Sequence, residues 1–193
     1  GEDAAILSGS QRILNWTKGA LSGPEILRIN HNHPFPVHVN ISQSAVQRFG
    51  EESDFSEGLK VNATYMDSQG NPIDVSNLKA GTVFYSEVNV QRVDPGVQTE
   101  RMALSFIVPS GWELSNARLA GEEASNGIQY QDIRDDRVNS YFQLAPREQM
   151  TLRFEVVATY PGRYYAPPMY GEAMYNGSVQ AGTQGQWVTV QMP

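Results

Sequence analysis

Large side chains recur at alternate positions in short stretches of this chain, and glycine or proline separates one stretch from the next. Leu59-Lys60-Val61-Asn62-Ala63-Thr64-Tyr65 has the period of two expected of a half-buried strand. Ser68-Gln69-Gly70-Asn71-Pro72 follows, with the residue types that make tight turns. Residues 83–91 alternate again, with Val83, Tyr85, Val88 and Val90 as the large positions; the shift between Tyr85 and Val88 predicts a bulge. Residues 101–108 are an apolar run closed by Pro109-Ser110-Gly111. Residues 128–133 and 138–144 predict a hairpin around Asp135-Asp136. Residues 149–159 alternate over their whole length, and Pro161-Gly162 ends them. Residues 172–180 and 186–191 predict a final pair of strands. That makes roughly eight strands after Gly58. No stretch repeats apolar residues at i, i+3, i+4 and i+7, so long helices are not expected. The pattern predicts an all-β fold, an antiparallel β-sandwich with extra N-terminal strands.

The first fifty residues differ. Arg12-Ile13-Leu14-Asn15-Trp16, Glu25-Ile26-Leu27-Arg28-Ile29 and Pro36-Val37-His38-Val39-Asn40-Ile41 are three short strand candidates. Three strands cannot bury a core alone. Residues 1–50 are therefore expected to be the closing strands of a preceding domain or an appended lobe. The acidic, serine-containing stretch 51–57 predicts the connector, and residues 58–193 the main sandwich domain.

Composition narrows the function. Of 193 residues, 40% are hydrophobic and 18% charged, enough for a packed core and too few charges for a disordered chain. The formal net charge of −7 opposes binding to a phosphate backbone, so no nucleic-acid partner is expected. The chain has no cysteine, which removes disulfides, thiolate chemistry and cysteine-based zinc sites. No apolar run approaches the roughly 20 residues of a membrane-spanning helix.

Few residues carry candidate chemistry. His31-Asn32-His33, with His38 nearby, places two imidazoles close together, but Pro34 and Pro36 suit a rigid surface turn better than a zinc site. Asp132, Arg134, Asp135, Asp136 and Arg137 form a dense charged cluster. Carboxylates so placed can bind calcium or share acid–base work. Each here has an arginine within a few residues, which favours local ion pairing, and no metal site is expected. No serine sits in a Gly-x-Ser-x-Gly elbow, and no phosphate-binding loop or His-Glu-x-x-His pattern is present. Tyr160, Tyr164, Tyr165, Tyr170 and Tyr175, with Met169 and Met174, form an aromatic-rich segment. Core packing and display as interface anchors both suit it; Tyr164, Tyr165 and Tyr170 are the interface candidates. No enzyme activity and no cofactor are expected.

A group of motifs carries a family resemblance. They are Gly81-Thr82-Val83-Phe84, Pro109-Ser110-Gly111-Trp112-Glu113-Leu114, Asp132-Ile133-Arg134-Asp135-Asp136-Arg137-Val138, Tyr141-Phe142, Ala158-Thr159-Tyr160-Pro161-Gly162-Arg163-Tyr164-Tyr165-Ala166-Pro167, Glu172-Ala173-Met174-Tyr175 and Gly185-Gln186-Trp187-Val188. In that order the chain resembles the C-terminal macroglobulin-type domain of bacterial alpha-2-macroglobulins. The resemblance covers about two-thirds of the chain and implies a macroglobulin-like, immunoglobulin-like sandwich. It further implies a periplasmic or envelope-bound protease trap, attached to the membrane only through an anchor outside this chain. The implied partners are other domains of the same polypeptide and, through the full-length protein, target endopeptidases. In thioester-bearing relatives a Met-Tyr pair packs over a Cys-Gln thioester in another domain; Met174 and Tyr175 match it. This chain, lacking cysteine, holds no thioester, and no bait region can be assigned in it. The alternative reading is a cell-surface module that binds protein or carbohydrate through its Tyr-Pro-rich segment. An enzyme using Asp132 and Asp136 would need them opposed across a cleft.

Overall fold

The computed structural model describes residues 48–115 and 127–192, together with Pro34 and Pro36. The chain divides into two compact units, residues 1–44 and 45–193. The three N-terminal strand candidates and the histidines His31, His33 and His38 lie outside the described residues.

Thirteen strands and no helix make up the described residues: β1 (Phe55–Glu57), β2 (Leu59–Met66), β3 (Asn77–Lys79), β4 (Val83–Arg92), β5 (Glu100–Ile107), β6 (Trp112–Leu114), β7 (Ile128–Ile133), β8 (Arg137–Leu144), β9 (Gln149–Ala158), β10 (Gly162–Ala166), β11 (Tyr170–Ala173), β12 (Asn176–Gly182) and β13 (Gln186–Gln191). They form a six-stranded sheet in the order β1-β12-β11-β5-β8-β7, a four-stranded sheet β2-β4-β9-β6 and a three-stranded sheet β10-β13-β3. The fold is the expected all-β sandwich, and its pairs are antiparallel except β3 with β13.

Alternation explains the layers. Met102, Leu104 and Phe106 of β5 and Leu152, Phe154, Val156 and Ala158 of β9 are buried, with less buried residues between them. The rings of Phe106 and Phe154 meet between the six- and four-stranded sheets, 4.9 Å apart at their centres. Gly171 lets β11 lie close over β2, because a Cβ there would come within 3.1 Å of the Val61 side chain and 3.3 Å of Leu59. At the other end of the core Trp112 stands edge-on to Phe84, with ring centres 4.9 Å apart. Val188 and Val190 of β13 and Leu78 of β3 join the same buried cluster.

Four details differ from the sequence pattern. There are more strands than the pattern predicts, because several have only three to five residues. β4 has no bulge: its register against β2 and β9 is continuous. Its inward positions are Phe84, Ser86, Val88, Val90 and Arg92, so Val83 and Tyr85 face the other way and two polar residues occupy core positions. Stretch 172–180 is not one strand but the β11–β12 hairpin, and its expected partner 186–191 pairs instead with β10 and β3. The acidic stretch expected as a connector contributes β1, which pairs with β12.

Candidate functional site

Met174 and Tyr175 are adjacent in sequence and both belong to the exposed large hydrophobic residues. Ala173 of β11 pairs with Asn176 of β12, leaving Met174 and Tyr175 as the whole turn. Their side chains are 44% and 76% exposed. The backbone beneath them is held: the Met174 N–H donates to the Arg101 carbonyl at 2.8 Å, and Asn176 Nδ2 donates to Glu100 Oε1 at 3.2 Å. Asn176 Oδ1 accepts the Ser178 N–H, folding the start of β12 onto itself. The turn is thus anchored on β5 while its apolar side chains face outward.

Tyr164, Tyr165 and Tyr170, the tyrosines expected as interface candidates, are half-buried. Tyr164 on β10 covers Gly111 and Gly162, where a Cβ would overlap its ring, and its hydroxyl donates to the Pro161 carbonyl at 3.1 Å. Gly162 has φ of +156°, near the edge of the glycine-favouring region, and leaves that ring its space. Tyr165 lies between the rings of Phe49 and Trp187, at 5.1 and 5.4 Å, and its hydroxyl donates to the Glu52 carboxylate. Burial and that carboxylate push its pKa up. Tyr170 packs near Phe55, and its hydroxyl lies 2.9 Å from both Glu172 Oε2 and Gln180 Oε1. These hydroxyls are satisfied within the domain, as buried tyrosine requires.

The charged cluster occupies the β7–β8 turn. The Arg134 N–H donates to the Arg137 carbonyl at 2.9 Å, closing the turn. Arg134 Nε contacts Asp132 at 2.9 Å, and Arg137 Nη2 contacts Asp136 at 2.5 Å. The Arg137 guanidinium holds the Asp136 carboxyl below its ordinary value. Asp135 is exposed beside them. Asp135 and Asp136 edge a cleft of about 280 Å³ with Trp112, Glu113 and Tyr160. Glu113 accepts hydrogen bonds from the Tyr160 hydroxyl at 2.9 Å and from Thr159 Oγ1 at 3.2 Å. Asp132 and Asp136 are engaged by arginine, and Glu113 by tyrosine and threonine. Among the described residues no group of three His, Cys, Asp or Glu is placed to hold a metal ion.

Sequence reasoning missed Arg92. It is 1% exposed and bonded to Asp94, Gln98 and Leu144, while its place in an alternating strand offered the only signal. It also missed Trp187, which takes Arg163 over its ring at 4.5 Å.

Comparison with known proteins matches residues 58–177 to the family described as the bacterial alpha-2-macroglobulin MG10 domain. The alpha-2-macroglobulin of Pasteurella multocida (strain Pm70) is 27% identical over 153 residues, covering 78% of this chain. The alpha-2-macroglobulin homolog of Yersinia pestis is 27% identical over 187 residues, covering 83% of this chain. The chain spans only 8% and 9% of the lengths of these relatives. Among solved structures, native alpha-2-macroglobulin from Escherichia coli, spanning domain MG7 to the C-terminus, superposes with a TM-score of 0.63 at 20% identity. That match covers 72% of this chain and 24% of the other.

Proposed function

Because this chain belongs to the bacterial alpha-2-macroglobulin MG10 domain family, we propose that it is a non-catalytic module of a longer protease-trapping polypeptide of the bacterial envelope. The division of labour we infer is a sandwich domain that includes β1, with residues 1–50 serving as the closing strands of a preceding domain or as an appended lobe. Its partners are then the other domains of the same polypeptide, and endopeptidases meet it only through the whole protein. One observation carries the reading: an apolar pair, Met174–Tyr175, held outward on a turn anchored to β5. Met and Tyr side chains displayed together on a fixed turn suit an anchor that another surface covers. A docked apolar lid excludes water, which is what a reactive acyl thioester in another domain would need to survive.

The test uses the full-length polypeptide. Tyr175→Ala is expected to speed thioester loss to methylamine by about tenfold or more, with the melting temperature unchanged. Unaltered methylamine sensitivity sinks the lid role and leaves scaffolding alone.

A further inference from the structure

Arg92 ends β4, yet its side chain turns into the protein. A guanidinium buried to this extent costs several kcal/mol unless every donor is engaged. Its Nε and Nη2 both reach the Asp94 carboxylate, the latter at 2.9 Å. Its Nη1 donates to the Gln98 carbonyl and, at 3.2 Å, to the Leu144 carbonyl at the end of β8. Its own backbone N–H donates to the Glu148 carbonyl at 2.9 Å. Asp94 in turn accepts the Gly96 N–H at 3.0 Å. One side chain thus ties the β4–β5 loop, just ahead of β5, to the end of β8.

The start of β5 is also what holds the Met174–Tyr175 turn. Two residues beyond Gln98, Glu100 accepts the Asn176 amide, and the next residue, Arg101, accepts the Met174 N–H. The Glu100 charge also acts on Arg92. A hydrogen bond from Arg92 fixes Gln98 at one end, the backbone through Thr99 leads into β5, and hydrogen bonds to Glu100 and Arg101 hold the turn at the other.

We propose that Arg92 is a positioning residue: its fork to Asp94, Gln98 and Leu144 fixes the entry of β5 and so sets the height and orientation of the Met174–Tyr175 turn. The proposal rests on the docking role of that turn for its purpose, and on the short backbone segment held at both ends by hydrogen bonds for its mechanism. A planar fork with five donors can hold three acceptors in fixed directions; an ammonium cannot.

Amide exchange of the 193-residue protein, followed by NMR, tests it. Arg92→Lys keeps the charge and loses the fork. Met174 amide exchange is expected to rise about tenfold relative to the core amides of Leu152 and Val156. Should Arg92→Lys not fold, Asp94→Asn, which weakens the fork and keeps the arginine, is read in the same way. Glu100→Ala is expected to release Met174 alone, and Glu100→Gln, which keeps an acceptor for Asn176, to restore it. Equal acceleration of Met174 and the core amides, or no change at Met174, overturns the proposal. The measurement needs no other domain, so a failed methylamine result in the full-length protein leaves it standing; Tyr175→Ser, which removes the docking ring, should leave Met174 exchange unchanged.

Discussion

Two hairpin turns of the same sheet show opposite solutions to exposure. The β7–β8 turn carries Asp132, Arg134, Asp136 and Arg137, which pair among themselves within a few residues. Water offers those charges an equally good alternative, so the pairs add little stability and ask nothing of a partner. The β11–β12 turn carries Met174 and Tyr175, which have no such local satisfaction. Its backbone is anchored on β5, and the loop that leads into β5 is held by the buried Arg92. Charge makes the first turn self-sufficient; anchoring makes the second a fixed apolar projection. A turn that is rigid and apolar is the one that can dock at little entropic cost.

The largest effect should come from breaking the network that holds the loop leading into β5. Asp94→Ala leaves Arg92 buried without its counter-charge, a loss of about 3–5 kcal/mol. At about 2–4 °C per kcal/mol for a domain of this size, the melting temperature should fall on the order of 10 °C. The same pair sets an acid limb. Hydrogen bonding and charge from Arg92 hold the Asp94 carboxyl below its ordinary value. A depressed carboxyl stabilises the fold above its unfolded pKa, near about 4, and that contribution is lost as pH falls through the lower folded value. Melts across pH 2–6 should therefore show a drop below about pH 4, and Asp94→Ala should flatten it. An unchanged limb in that variant would show that other carboxylates set the acid response.

Asp136→Asn probes the self-sufficient turn. Arg137 also holds this carboxyl low, so the sign of its pH dependence is the same. Both partners face water, however, so the loss should stay within about 1 kcal/mol and shrink as salt is added. A drop as large as that of Asp94→Ala would mean that the charged turn is not self-contained, and the contrast between the two turns would fail.

The charged turn was legible in the sequence and the apolar one only in part, for physical reasons. Residues 128–133 and 138–144 flank Asp135-Asp136 closely, and a hairpin is local, so short strand-like runs and turn chemistry sufficed. In 172–180 the strongest turn signal is Asn176-Gly177, yet the chain turns at Met174–Tyr175 and Asn176-Gly177 opens β12. Asn176 is instead drawn into bonds with Glu100 and the Ser178 N–H, which a local rule cannot see. Met174 and Tyr175 stood out as a pair through their resemblance to a family motif; composition alone marked them only as members of an aromatic-rich segment. Arg92 was hidden because arginine reads as a surface residue. Its acceptors at Gln98 and Leu144 become neighbours only when β4, β5 and β8 have packed. The pairing of β13 with β10 and β3 is equally non-local: Val188 and Val190 declare a buried face but not which strands lie beside them.

Tyr175→Ser should have the smallest effect, and that is its value. The side chain is 76% exposed, and the turn is secured through backbone and neighbouring side-chain bonds, not through the ring. Removing the ring should therefore change stability by no more than about 0.5 kcal/mol, the ordinary scatter of surface substitutions. A thermal melt of this chain, matched to that of Asp94→Ala, measures it. A loss of several degrees would mean that the ring packs on its own domain and that the turn is closed by its side chains, as the charged turn is. No loss would leave a ring whose position the fold maintains through β5 and whose burial the domain itself does not use, and that separation of holding from covering is what a docking element requires.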